Sequence, residues 1–338
     1  TYISVPGTVA ADGFSYLQTT LGFFFGYVII SYILIPLYYR LGVVSLYEYL
    51  DRRFGVAAHR TGAWFFFVAK ILSASLRAYI ICVVLQTLLY DHFAIPFAIN
   101  AIIMMAMVWL YTRRGGVRAV VWVEMLKTII MFASIVVAIF AIISALGIGF
   151  DGVVSTIASS HYSDTLFFDN PLDRRYFWKQ FIAGIFLVVA MTGLDQDMMQ
   201  RNMSCRTVRD SQVNIVLTAI CQIFVILFFL VLGVLLYRYI DFAGLPMPKS
   251  GDEVFPFVAV QGGLPLIAGV VFVVGLISST YSAAGSSLTS LTTSFTLDIM
   301  NGANRYDEEQ LARLRKRIHV VMAVVMMAVV LVFYHFGN

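Results

Sequence analysis

Residues 211–240 read SQVNIVLTAICQIFVILFFLVLGVLLYRYI, and no charged side chain interrupts them before Arg238. A helix gains about 1.5 Å per residue, so ~20 such residues cross the hydrocarbon core of a bilayer. Seven further runs of the same kind flank this one, at 14–39, 61–90, 95–112, 117–147, 177–200, 264–297 and 318–336. None shows the ~10-residue alternation of a membrane β-barrel. Lipid cannot satisfy backbone N–H and C=O groups, which leaves helices as the way across. The pattern predicts an all-α polytopic membrane protein with about eight full transmembrane helices in a single transmembrane domain over residues 1–338.

Composition agrees. Of 338 residues, 60% are hydrophobic and 12% charged, and the mean hydropathy is +0.85. A soluble domain carries about 25% charged residues because its surface faces water. The net charge of +4 follows the membrane in its distribution and is no nucleic-acid signature. Cys82, Cys205 and Cys221 have neither metal-ligand nor CxxC spacing and read as packing residues. No HExxH, GxSxG or His cluster points to a membrane enzyme. The chain opens on Thr1 and stops at Asn338 directly after an apolar run, so both ends read as cut and flanking helices are expected outside it.

Lys and Arg in short connections mark the cytoplasmic side. Residues 40–60, 113–118, 201–209 and 305–317 hold fifteen of the 23 Lys and Arg, and the alternate connections hold five. The first set is therefore cytoplasmic, in a multi-pass plasma (inner) membrane protein whose residue 1 lies outside. The outer connections, roughly 148–176 and 241–263, carry turn formers that suit ordered loops or short surface helices. In Asp307–Arg317, Glu309 precedes Arg313 by four, as in a solvated helical lead into the last span.

An ionisable group inside the membrane costs several kcal/mol, roughly, unless it has a partner or a function. Lys70 lies near the cytoplasmic end of its span and can snorkel. Arg77 lies deeper, where either a buried ion pair or an anionic or polyhydroxylated solute would answer its charge. Glu124 and Lys127, three apart, are either a self-neutralising pair or a place for a cation or proton. Asp195 and Asp197 follow Gly193 and read as solvated charges at a helix end. From Ser278 to Thr296 the sequence SSTYSAAGSSLTSLTTSFT is dense in hydroxyls and small residues. Close helix packing explains such a composition. Ser279, Ser282, Ser286 and Thr289 nevertheless fall on one face, and uncharged oxygens suit a weakly held, readily released Na⁺.

SVPG (4–7), LIPLYYRLGVVSLYEYLDRRFG (34–55), YTRRGGVRAVVWVEMLKT (111–128), GLDQDMMQRN (193–202) and TLDI (296–299) together resemble the sodium:solute symporter family. The resemblance implies a LeuT-like inverted-repeat helical bundle, here partial: the end of core helix one and core helices two to nine. It implies Na⁺ as the coupling ion, a small-molecule solute, and no organic cofactor. Its principal sodium site falls on Ser279, Ser282 and Ala283, where Ala283 lacks the expected hydroxyl. A second ion site of some relatives falls on Glu124, where the nearby Lys127 ammonium competes for the cation's place. Solute-contacting positions fall on Arg77, Thr1, Gln18 and Thr20. The function implied is sodium-coupled uptake of a sugar, sialic acid or other organic anion by alternating access. The alternative is a solute-sensing membrane domain of a signalling protein.

Overall fold

The computed structural model describes residues 2–42 and 46–337, and Thr1 lies outside the described residues. Fourteen α-helices follow one another among them. They are α1 (Ser4–Asp12), α2 (Tyr16–Ile29), α3 (Ile35–Leu41), α4 (Leu46–Phe54), α5 (Val56–Leu85), α6 (Phe97–Leu146) and α7 (Phe150–Ser159). The rest are α8 (Phe177–Val188), α9 (Gln196–Asn202), α10 (Val208–Ala243), α11 (Gly251–Gln261), α12 (Leu266–Ser294), α13 (Gly302–Arg305) and α14 (Glu308–Gly337). Single π-turns at Ile30–Leu34, Gln86–Tyr90, Val189–Gly193 and Phe295–Ile299 interrupt or extend them.

The chain forms two compact units, each drawn from three separated segments. The first unites residues 2–39, 129–194 and 202–276, hence α1 to α3, the later part of α6, α7, α8, α10, α11 and the start of α12. In it α1 packs on α10 and α11, and Tyr237 Oη donates to the Gly7 carbonyl at 2.6 Å. Pro6 sits in the first turn of α1, where a missing N–H costs no helical hydrogen bond. Helix α2 lies against α8 through two glycines. A Cβ on Gly22 would sit 2.2 Å from the Phe181 carbonyl oxygen, and one on Gly184 2.4 Å from that of Thr19.

Those distances decide between two opposed effects. Helix propensity alone favours Ala over Gly by ~0.5–1 kcal/mol. Overpacking against a backbone that cannot rotate away costs about 1–3 kcal/mol. Gly22→Ala is therefore expected to lower the thermal unfolding midpoint in detergent. A midpoint at or above wild type would mean that propensity wins and the α2–α8 contact is loose.

The second unit unites residues 40–128, 195–201 and 277–337 within the described set. Its core takes one stripe of α5 (Phe67, Ile71, Ala74, Ala78, Cys82), with Met104 and Val108 of α6, Leu288 and Leu291 of α12, and Met322, Met326 and Val330 of α14. Steps of three and four place each set on one helical face. The opposite face of α5 exposes Phe65, Val68, Leu72 and Leu76, as a lipid-facing surface does. The charged lead is present: α14 starts at Glu308, and Arg313 pairs with Glu309. Helices α7 and α11 lie in the two long connections 148–176 and 241–263, where short helices were among the expectations.

Three boundaries differ from the sequence expectation. Among the described residues, six helices are long and apolar enough to span, or seven with the bent pair Phe177–Gly193 and Gln196–Asn202, rather than eight. The anticipated break at 113–118 is absent: α6 continues through Arg-Arg-Gly-Gly as one 50-residue helix, and Phe97–Arg113 counts only as a shorter apolar stretch. Glycine costs about 1 kcal/mol in a helix, too little to stop one held on both sides. The run 177–200 bends by 73°. A π-turn at Val189–Gly193 ends the first arm, and Asp195 Oδ1 accepts the Met198 N–H at 3.1 Å to start the second.

Candidate functional site

Helix α9 opens the site. Its cap places Asp195 at the bend, and its turn sets Asp197 and Arg201 four apart on one face. Lys70 of α5 points its ammonium at both carboxylates, 3.1 Å from Asp195 Oδ2 and 3.2 Å from Asp197 Oδ2. Arg201 Nη2 lies 3.1 Å from Asp197 Oδ2 and donates to Ser286 Oγ of α12 at 2.8 Å. Its Nη1 pairs with Glu124 of α6. The Ser286 hydroxyl in turn donates to Asp197, 2.7 Å from each carboxylate oxygen. Four elements of the second unit thus meet in one network around Asp197 and Arg201, with the Asp197 side chain 9% exposed.

This network changes three expectations. Asp195 and Asp197 are not solvated helix-end charges, because the 73° bend turns both toward Lys70. Lys70 does not snorkel to water; it is ion-paired. Glu124 is engaged by Arg201, a residue that belonged on sequence to a cytoplasmic connection, rather than by Lys127. The signal for this was present: a lysine inside an apolar run requires a counter-charge, and Asp197 and Arg201 have helical i, i+4 spacing.

Above this cluster runs the hydroxyl face of α12. Ser282 is fully buried, and its Oγ has no hydrogen-bond partner among the described residues. Ser279 and Ala283 are half-buried. Thr289 donates to the Gly285 carbonyl at 2.8 Å, so its hydroxyl is spent on its own helix. Tyr111 of α6 donates to the Tyr281 carbonyl at 2.6 Å and covers Gly285. His319 of α14 bridges Thr112 and Thr292, at 2.9 and 3.0 Å, which fixes α6, α12 and α14 at this level. In the TLDI stretch, Asp298 is buried and lies 3.5 Å from His59 Nε2.

The positions that the resemblance assigns to solute contact are distributed differently. Arg77 is exposed on α5. Gln18, in the first unit, is fully buried and holds the connection before α8: its Nε2 donates to the Arg175 carbonyl at 2.8 Å and its Oε1 accepts the Phe167 N–H at 3.1 Å. Thr20 donates to the Tyr16 carbonyl at 2.9 Å, within its own helix. In the same connection the Arg175 side chain and backbone N–H hold the Asp173 carboxyl below the usual carboxylate range. A cleft of about 310 Å³ is lined by Thr293, Thr296, Leu297, Glu308, Leu311, Ala312 and Arg315, and holds none of the predicted site residues.

The chain is similar to known proteins in sequence and in fold. The model of the family described as "Sodium:solute symporter family" matches residues 1–337. The sodium-dependent multivitamin transporter of Oryctolagus cuniculus is 25% identical over 86% of this chain and 46% of its own length. The sodium/iodide cotransporter of Homo sapiens is 26% identical over 86% of this chain and 45% of its own. The human sodium-coupled monocarboxylate transporter 1 is 26% identical over 86% of this chain and 48% of its own. The chain thus spans about half the length of the curated relatives it matches. A structure of a Na⁺-coupled sialic acid symporter, in a substrate-bound outward-open state, superposes with a TM-score of 0.85 at 18% identity. The match covers 98% of this chain and 71% of that one and shows the fold, which is LeuT-like.

Proposed function

Because the chain belongs to the sodium:solute symporter family, we propose that it forms the transmembrane core of a secondary active symporter, in which Na⁺ entry drives uptake of a small polar solute. In this reading the protein lies in the plasma membrane with its Arg-rich connections inward, and its work is binding and conformational exchange with no covalent step. The observation that carries it is Ser282. A buried hydroxyl without a partner costs about 1–3 kcal/mol, and a cation held by its oxygen would remove that cost. Ser279, one turn earlier, would add a second hydroxyl. Ala283 contributes no side-chain oxygen, so the remaining ligands would be backbone carbonyls. Oxygens without full charge bind tightly enough to load an ion and weakly enough to release it.

The relatives are named for vitamins, iodide and monocarboxylates, and the structural neighbour for sialic acid. These names and the Arg77 guanidinium favour an anionic or polyhydroxylated solute. The decisive experiment is uptake into proteoliposomes by the full-length protein, with a panel of monocarboxylates, sialic acid, sugars and iodide. Each is driven by a Na⁺ gradient, a H⁺ gradient or none. Uptake of none of them, or uptake indifferent to Na⁺, would overturn the proposal.

Ser282→Ala separates the ion-site role from packing. Loss of one ligand worth ~1.4 kcal/mol raises the half-saturating Na⁺ concentration about tenfold. Without Na⁺ the same variant is expected to be at least as stable as wild type, because it removes an unsatisfied buried hydroxyl. An unchanged Na⁺ dependence in a folded variant removes Ser282 from the site.

A further inference from the structure

The resemblance places a second cation at Glu124, and the residues present do not fit one. We propose that the Arg201 guanidinium is a built-in cation that fills this position, so that the protein couples one Na⁺, rather than two, to each solute. The proposal rests on the symport reading. It follows from where the oxygens point. Glu124 pairs with Arg201 Nη1. Asp197 Oδ2 faces Lys70 Nζ at 3.2 Å and Arg201 Nη2 at 3.1 Å. The Ser286 hydroxyl gives its proton to Asp197 and accepts Arg201 Nη2 at 2.8 Å. Glu124, Asp197 Oδ2 and the Ser286 hydroxyl are each met by an N–H of one planar fork, which suits carboxylates in a way that a point charge does not.

Charge leads to the same result. Glu124, Asp195 and Asp197 stand against Lys70, Arg201 and Lys127, the last within electrostatic range of both Glu124 and Arg201. In formal charge the group sums to zero. A further desolvated cation would leave it positive, in a setting where an uncompensated buried charge is strongly disfavoured. A tethered guanidinium also carries no translational entropy to lose, whereas a free ion does. One turn back on the same face of α12, the Ser282 hydroxyl has no hydrogen-bond partner among the described residues. One face therefore carries one open oxygen site and one that is already filled.

The test combines flux and stability. For the full-length protein in proteoliposomes, with the solute found above, radioactive Na⁺ and solute fluxes should stand at one to one, with a Na⁺ Hill coefficient of about 1. Glu124→Gln should keep that ratio, whatever it does to the rate. Arg201→Gln removes the guanidinium and leaves Glu124, Asp197 and Ser286 facing one another. Its thermal midpoint should rise on the order of 5 °C when choline is replaced by Na⁺, in excess of the wild-type response. Arg201→Gln/Glu124→Gln should lose that excess. A two-to-one flux in wild type that falls to one-to-one in Glu124→Gln would overturn the proposal, and needs no Arg201 variant to fold. So would a folded Arg201→Gln with only the wild-type response to Na⁺. Wild-type uptake indifferent to Na⁺ would defeat the symport reading instead, and the midpoint comparison would still decide what Arg201 does.

Discussion

Asp197→Asn is expected to destabilise the protein by about 3–5 kcal/mol, the cost of leaving buried charges without their partner. Asn keeps the volume of Asp, so the loss reads charge rather than a cavity. The wild-type carboxylate compensates Lys70 and Arg201 at once and accepts the Ser286 hydroxyl. Asp195→Asn is expected to cost less: its side chain is 21% exposed against 9% for Asp197, and it faces Lys70 without Arg201. Combining Asp197→Asn with Arg201→Gln should cost less than the sum of the two, because residues of one network do not act additively. Fluorescence size-exclusion profiles and thermal unfolding in detergent give the measurement. An Asp197→Asn protein within ~1 kcal/mol of wild type would mean that water reaches the cluster and screens it.

Arg77→Ala is expected to weaken solute binding by about 2–5 kcal/mol, the usual cost of truncating one side of a desolvated charge pair. At 1.4 kcal/mol per decade this is roughly 30-fold and upward. The side chain is exposed on α5, while Ala74 and Ala78 line the core. A contact that needs only charge survives Arg77→Lys; one that uses two parallel hydrogen bonds to a carboxylate does not. Protein abundance is measured alongside, because loss of a structural arginine lowers yield rather than affinity. A normally expressed Arg77→Ala that binds the transported solute like wild type removes Arg77 from the binding site.

Much of the fold was legible because it is local. Whether a segment belongs in lipid depends on its own length and polarity, and 211–240 or 61–90 decide that within themselves. Turn formers and the Glu309–Arg313 spacing likewise announced the short helices α7 and α11 and the charged lead of α14. Where local signals were balanced, the expectation failed. The Arg-Arg-Gly-Gly stretch looked like a connection, yet α6 runs through it. The run after Phe177 looked continuous, yet it bends at Leu194 and Asp195.

The charged site lay further from view. The sequence by itself determined that charges inside apolar runs, Arg77, Glu124 and Lys127 among them, call for a partner or a function, since lipid does not solvate charge; it left Lys70, Asp195 and Asp197 reading as charges that reach water. It also determined that the hydroxyls of α12 share a face. Which charge answers which was decided only by the tertiary structure. Lys70 meets residues 125 and 127 positions away, and Glu124 meets Arg201, 77 positions away, rather than Lys127 on its own helix. The reason is physical: helical spacing makes neighbours possible, but strong pairing also needs converging geometry and shared burial. Those arise only once α5, α6, α9 and α12 have been brought together.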